Sequence, residues 1–71
     1  MSVVRVPITG SIWKILINVG DDVSAGDEVA ILESMKMEIP IESEVDGKVT
    51  AILKNEGDFV EEGEVLLEIG S

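Results

Sequence analysis

The heptapeptide GDDVSAG at residues 20–26 recurs as GDFVEEG at residues 57–63, and this repeat is the strongest structural signal in the sequence. In both copies, two glycines six residues apart flank one valine. That spacing is typical of a chain that turns, buries one side chain and turns again. Beyond the heptapeptides, a shift of 37 positions aligns residues 10–32 with residues 47–69 without a gap. The matching positions are mostly turn residues and apolar residues, so we predict that the two segments are half-repeats of one structure.

Two half-repeats are too few for a solenoid, which needs at least about three stacked units to bury a continuous core. We therefore predict two half-domains packed about a pseudo-twofold axis. The segments between the turns are short and rich in Ile, Val and Leu, and turn signals recur about every 8–12 residues, as in small sandwiches and barrels. The predicted fold class is all-β, a flattened barrel or sandwich of two antiparallel sheets. With one Phe, one Trp and no Tyr, its core is expected to be aliphatic.

Residues 28–38, EVAILESMKME, consist mostly of good helix formers and would form a short helix on propensity alone. However, Val29–Leu32 belongs to the repeat, where its partner segment has the pattern of a strand, and Pro40 would end a helix. We predict a strand, a turn at Met35-Lys36 and a second strand. Neither turn residue is the Gly or Asn that a two-residue hairpin favours, which indicates that another demand acts on these positions.

The composition excludes several classes of function. A chain of 71 residues leaves room for one domain, residues 1–71, because it buries only about 60% of the surface of its unfolded form. With no Cys and no His, a disulfide framework, the usual general base and a metal site are not expected. The net charge of −10 repels nucleic-acid phosphates and anionic membranes. No apolar run approaches the about 20 residues that span a bilayer, and no secretory signal is seen, so we expect a soluble, cytoplasmic protein.

The hexapeptide ESMKME at residues 33–38 resembles the attachment motif of biotinyl carrier domains, in which a lysine between two methionines receives biotin. The stretch VPITG at residues 6–10 is similar to the Pro-x-x-Gly that opens such domains. The resemblance is to the biotinyl/lipoyl attachment domain family, closest to the biotin carboxyl carrier proteins, and it covers nearly the whole chain. It implies a flattened β-barrel with the attachment hairpin at 33–38. No segment resembles the thumb loop of some bacterial acetyl-CoA carboxylase carriers.

The resemblance implies that a separate biotin protein ligase attaches biotin to Lys36. A lysine amine is ordinarily protonated near neutral pH, and no pocket that would activate it is apparent, which agrees with the need for a ligase. The implied role is a non-catalytic, monomeric carrier that shuttles carboxybiotin between a biotin carboxylase and a carboxyltransferase or decarboxylase. Under the 37-residue offset, the counterpart of Lys36 is the gap between the chain ends, so we expect it at the opposite pole from the termini. The residues implied in ligase recognition are Glu33, Ser34, Met35, Met37 and Glu38.

Two other functions are open at this stage. A lipoyl domain, or a protein that accepts both biotin and lipoate, would share the fold, but lipoyl domains usually carry an Asp-Lys-Ala-type motif and the two methionines favour biotin. An unmodified adaptor would use the acidic barrel only to hold partners together. A catalytic pair of Glu33 and Glu38 is disfavoured, because no second acid–base group or pocket accompanies it.

The remaining prominent residues have structural interpretations. Trp13 is expected to be a large, partly buried packing residue, with an exposed docking role as the alternative. Both methionines of the motif could fill the core, but at a hairpin tip at least one is expected to be partly exposed. The four glycines of the heptapeptides are expected to be structural. The acidic residues of the repeats are expected to form a solvated face, because their spacing does not match a calcium loop; they are Asp21, Asp22, Asp58, Glu61 and Glu62.

Overall fold

The computed structural model describes residues 2–70, which form eight β-strands. Met1 and Ser71, which belong to the predicted domain 1–71, lie outside the described residues. Within residues 2–70 no helix is long and apolar enough to cross a membrane. The strands are β1 (Ser2–Arg5), β2 (Gly10–Ile15), β3 (Asp22–Val23), β4 (Glu28–Ser34), β5 (Met37–Glu42), β6 (Gly47–Ile52), β7 (Phe59–Val60) and β8 (Val65–Gly70).

The strands form two four-stranded antiparallel sheets, which confirms the predicted fold class. The first sheet has the order β1-β8-β6-β3 and the second has the order β5-β4-β2-β7. The 37-residue offset maps β2 onto β6, β3 onto β7 and the start of β4 onto the start of β8. It also maps β1 onto the end of β5. One sheet order therefore maps onto the other, as the pseudo-twofold symmetry requires. The first and last strands, β1 and β8, lie in the first sheet, whereas the β4–β5 hairpin lies in the second.

Each half-repeat completes the sheet of the other half. The short strand β3 pairs with β6, and its counterpart β7 pairs with β2. The amide of Gly20 donates to the carbonyl oxygen of Val49 at 2.8 Å, and the amide of Gly57 donates to that of Ile12 at 2.7 Å. Because both halves supply backbone partners to each other, neither can satisfy its turns alone, and the two sheets form one unit.

The repeated heptapeptides shape the turns at both ends of β3 and β7. Their valines, Val23 and Val60, are buried, as the sequence predicts. Their four glycines have φ between 91° and 99°, a left-handed conformation that side chains rarely adopt, so these glycines are structural as expected.

Two of the acidic residues also have a structural role, which the sequence analysis did not include. One carboxylate oxygen of Asp21 accepts the amide of Asn18 at 2.8 Å, and one of Asp58 accepts the amide of Asn55 at the same distance. Each aspartate also donates its own amide to the carbonyl oxygen of that asparagine, at 3.0 and 3.1 Å. The Asn-x-x-Asp spacing thus closes both turns through side-chain-to-backbone bonds, which local polar residues favour.

The core between the sheets contains thirteen buried hydrophobic residues, all of them aliphatic. Twelve of them form six pairs related by the 37-residue offset, so each half contributes equally to the layer between the sheets. The pairs are Val4 and Ile41, Ile12 and Val49, Val23 and Val60, Val29 and Leu66, Ala30 and Leu67, and Leu32 and Ile69. The thirteenth is Val6, whose counterpart Ser43 is also buried.

Glu64 closes the turn before β8. Its carboxylate accepts the amide of Glu61 at 2.5 Å through Oε2 and the ammonium of Lys54 at 2.9 Å through Oε1. The backbone bond from Glu61, followed by the bond from Lys54, lowers the pKa of Glu64 below its ordinary value. A lowered pKa means that the charged carboxylate stabilises the fold, and that this stabilisation is lost when acid protonates it.

We predict that Glu64→Gln lowers the melting temperature at about pH 7 and that its deficit shrinks as the pH falls below the ordinary glutamate pKa of about 4.3. The stabilisation is present above that value and disappears as the pH passes through the lower pKa of the folded state. Thermal unfolding of both proteins between about pH 7 and pH 3 measures the effect. Exposed Glu62 supplies the control, since Glu62→Gln removes an equal charge but neither bond. A deficit of constant size across this range would contradict the prediction.

Candidate functional site

The β4–β5 hairpin carries the motif at 33–38. The strands pair from Glu28 opposite Glu42 to Ser34 opposite Met37, so only Met35 and Lys36 form the turn. The structure thus has the predicted strand, turn and strand, and the helix that propensity favours does not form. Burial explains the outcome, because the side chains at the end of β4 alternate between the core and the solvent with a period of two.

Both turn residues have a left-handed backbone. The φ angle is 51° at Met35 and 65° at Lys36. A two-residue hairpin loop with positive φ at both positions is a type I′ turn, whose twist matches that of the flanking strands. For residues other than glycine the left-handed conformation costs roughly 1–2 kcal/mol each. The chain therefore accepts local strain to place two large side chains at the tip.

The base of the turn is packed tightly against β2. The hydroxyl of Ser34 donates to the carbonyl oxygen of Thr9 at 2.8 Å. At Gly10 an added Cβ would overlap the carbonyl oxygen of Glu33 and would lie 3.1 Å from the Cβ of Ser34. Only glycine allows β2 to approach β4 this closely, and the approach fixes the hairpin immediately below the turn.

Sequence reasoning missed the supporting roles of Thr9 and Gly10. A signal for the glycine was present, because Gly10 and Gly47 occupy matching positions of the two half-repeats. An added Cβ at Gly47 would overlap the carbonyl oxygen of Gly70, the counterpart of Glu33. Both sheets therefore use the same close approach, and in the second sheet it lies under the turn with Lys36. No comparable signal marks Thr9, whose carbonyl oxygen makes the contact.

The structure exposes five of the six motif residues. Met35 is 85% exposed and Met37 is 58% exposed, so both methionines meet the expectation of an exposed side chain at the tip. Ser34 differs, because its side chain is buried and points inward under the turn. The remaining exposed residues are Glu33, Lys36 and Glu38.

The amine of Lys36 is available to an incoming reagent. Among residues 2–70 the two ion pairs join Lys48 to Asp22 and Lys54 to Glu64, so Lys36 lies in neither. Two surface grooves, of about 360 and 250 Å³, lie around Arg5 at the edge strands and do not include Lys36. The site is thus a protruding primary amine on a tightly supported turn, an arrangement that can accept an acyl group and cannot enclose a substrate.

Comparison with known proteins agrees with this geometry. The profile of the family described as "Biotin-requiring enzyme", Biotin_lipoyl, matches residues 2–69. This chain belongs to that family. The "Biotin/lipoyl attachment protein" of Bacillus subtilis is 52% identical over 68 residues, which are 96% of this chain and 93% of that protein.

Two solved chains of very different length contain a domain that resembles this one. This chain superposes on the urea carboxylase of Kluyveromyces lactis with a TM-score of 0.91 and 40% identity, covering 97% of this chain and 6% of that one. It superposes on the lipoyl domain of the 2-oxoglutarate dehydrogenase complex of Azotobacter vinelandii with a TM-score of 0.77 over 96% of both chains. At 24% identity, the second likeness shows the shared fold alone.

The strain at the turn can be measured directly. We expect Lys36→Gly to stabilise the domain by about 0.5–1 kcal/mol, because relief of the left-handed strain exceeds the entropy that glycine adds to the unfolded chain. The melting temperature should rise by a few degrees, at about 4–8 °C per kcal/mol for a domain of this size. Lys36→Arg is the matched control and should leave it unchanged, because arginine keeps the strained backbone. If glycine is neutral or destabilising here, the turn is not strained as described.

Proposed function

We propose that this chain is a biotin carboxyl carrier domain, covalently biotinylated on Lys36 by a biotin protein ligase. The observation that carries the proposal is the Lys36 amine itself, exposed between two exposed methionines on a type I′ turn that the base of the hairpin holds in place. Membership of the biotin-requiring family supports biotin as the attached group. The single domain 1–71 is the unit that we propose to act as the carrier.

The residues around the amine fit such an attachment. Acylation joins the carboxyl carbon of biotin to Nζ of Lys36 and forms an amide, with loss of the positive charge. The ligase must supply the biotin carboxyl group in activated form, as a mixed anhydride. The carbon–oxygen bond to its leaving group breaks as the amide bond forms, and the ligase accepts the proton that leaves the amine. Once attached, biotin supplies the carboxyl-carrying chemistry, and the protein supplies position and recognition.

The exposed motif residues are the proposed recognition surface for the ligase. Met35 and Met37 flank the amine with soft, adaptable side chains that suit contact with more than one enzyme. Glu33 and Glu38 lie opposite each other across the hairpin and add charge that selects the partner. Ser34 contributes from below, since its bond to Thr9 holds the turn that presents the other four residues.

In the proposed cycle the carrier visits two kinds of partner. One is a biotin carboxylase, where the carboxyl group is loaded, and the other is a carboxyltransferase or decarboxylase, where it is unloaded. The likeness to a segment of urea carboxylase supports this assignment, because that segment is only 6% of a much larger protein. We propose that the carrier has no catalytic activity of its own, is a monomer when isolated and works in the cytoplasm.

A lipoate carrier, or a protein that accepts both groups, is the second candidate function. The Bacillus subtilis relative is named a biotin/lipoyl attachment protein and matches over 93% of its length. The amine on its turn suits lipoate as well as biotin, because either group would be joined through the same amide. The two candidates therefore differ in which ligase accepts the hairpin.

Intact-mass spectrometry after co-expression with a biotin ligase tests the proposal. We expect one biotinyl group on the wild-type chain and none on Lys36→Ala. Lys48→Ala is the matched control, since it removes another exposed lysine and should still gain one biotinyl group. Modification by a lipoate ligase in place of a biotin ligase would select the second candidate. If neither ligase modifies the folded chain, the carrier proposal is wrong.

A further inference from the structure

The two aromatic residues of the chain are both exposed on one face. Trp13 is 45% exposed and Phe59 is 68% exposed. Trp13 is thus partly buried, as the sequence analysis expected, but it does not belong to the buried core, and nearly half of its surface is open to a partner. Both residues belong to the sheet that carries Lys36. A core of thirteen aliphatic residues needs neither aromatic ring, so these rings require another explanation.

Strand register places the two rings side by side on the outer face of this sheet. Phe59 pairs with Ser11, and Trp13 follows two residues later on the same strand. In a regular ladder such diagonal neighbours lie about 7–8 Å apart, within reach of aromatic side chains; here Trp13 lies at a β-bulge of β2 and is exposed on the same face. Ile31, opposite Lys14, extends the apolar surface sideways onto β4, on the row farther from the turn. We call Trp13, Ile31 and Phe59 the aromatic patch.

The pseudo-twofold symmetry provides an internal comparison for this patch. On the first sheet the counterpart of Trp13 is Thr50, and the counterpart of Phe59 is Asp22. Asp22 lies 3.8 Å from Lys48 in an exposed ion pair, so the same position of the fold is polar there. The architecture is thus satisfied by polar residues at these positions.

The exposed leucines outside the patch behave differently. Leu16 and Leu53 are counterparts and are 48% and 49% exposed. An exposed leucine therefore occurs at this position in both halves and does not distinguish one sheet from the other. The aromatic patch is confined to the sheet with the attachment hairpin. Exposed apolar surface of this kind marks interaction sites, and Trp and Phe are enriched at the centres of protein interfaces.

The charge around the patch indicates what kind of surface it meets. Glu33 shares a transverse row with Ser11 and Phe59, and Glu38 continues that row on β5. The chain as a whole has a net charge of −10, which disfavours an anionic membrane and a second copy of itself. Lys14 adds one positive charge on the other side, since its ammonium lies 5.5 Å from the centre of the Trp13 ring. The complementary partner is a protein with an apolar recess and with Lys and Arg on the side that faces the acidic row.

The position of the patch favours the enzymes that act on the attached group over the ligase, and the carboxylase is the first of these that the biotinylated domain meets in the proposed cycle. The ligase must bring the amine of Lys36 into its own active site, so its contacts are concentrated on the turn. An enzyme that acts on the attached group meets that group at the end of a flexible side chain. The flexible side chain does not fix the orientation of the domain relative to the enzyme. That enzyme must hold the domain by a surface behind the turn, and the aromatic patch is such a surface.

We infer that the aromatic patch is the surface by which the domain docks on the enzyme that carboxylates its attached biotin. This inference rests on the proposed carrier function. Trp13 and Phe59 fill an apolar recess in that enzyme, and the acidic residues of the same face pair with basic residues on the side that they meet. Docking by this face leaves the turn at the edge of the contact, so the attached group can enter the active site.

Steady-state kinetics with a purified biotin carboxylase that accepts the biotinylated wild-type domain tests the inference. The substrates are the biotinylated wild-type domain and a variant with the counterpart residues, Trp13→Thr combined with Phe59→Asp. We expect the KM of the variant to be at least about tenfold higher, as for loss of an interface anchor worth roughly 1.4 kcal/mol, with a smaller change in kcat. The wild-type KM should rise with ionic strength, because the docking is charge-assisted.

Matched measurements separate the possible outcomes. Val19→Glu replaces another exposed apolar residue by its acidic counterpart Glu56, and its KM should stay within about twofold of the wild type. A biotinylation rate and a melting temperature equal to those of the wild type show that the double variant is folded. An unchanged KM for the double variant would overturn the docking surface, as would a loss confined to the ligase reaction. If the wild-type domain is not biotinylated or not carboxylated, the proposed function fails instead.

Discussion

The backbone bonds of Gly20 to Val49 and of Gly57 to Ile12 tie each half-repeat to the strands of the other, and the rest of the structure depends on this exchange. Each half lends a short strand to the opposite sheet, and each sheet then supplies half of the core. A chain of 71 residues obtains in this way two sheets that support one another. The rigidity that the hairpin needs comes from this arrangement, because β4 lies between β5 and β2 in a sheet that both halves build.

The candidate site lies where the symmetry between the halves is broken. The 37-residue offset gives Met35 and Lys36 no counterpart, because the matching positions fall between the two ends of the chain. The aromatic patch breaks the symmetry in a second way, through side chains on an otherwise matched backbone. In a duplicated fold, positions that differ between the halves are free of the shared structural demand. Their residues therefore report on function more directly than the turns that recur in both halves.

The sequence was sufficient for the fold because its strongest signal is a repeat, and a repeat constrains both copies together. The repeat outweighs the helix propensity of residues 28–38, since a helix in one half would have no matching helix in the other. The two strands then leave Met35 and Lys36 as the turn, although neither residue favours one. The family resemblance added biotin, which spacing and composition alone do not specify.

The details that the sequence left open depend on contacts between distant segments. The burial of Ser34 follows from its bond to Thr9, and the exposure of Trp13 follows from an outward position on β2. Neither can be read from neighbours along the chain. Asp21 and Asp58 were assigned to a solvated face, because acidic residues usually are solvated, although the repeated Asn-x-x-Asp spacing already suggested a closed turn.

The carrier role needs a rigid turn that holds a mobile side chain, and NMR relaxation of the 71-residue chain measures both at once. We expect backbone order parameters near 0.85 at Met35 and Lys36, equal to those of the flanking strands, together with values below about 0.6 along the Lys36 side chain. Backbone values below about 0.6 at these two residues would contradict this expectation, because the anchor would then be a flexible loop.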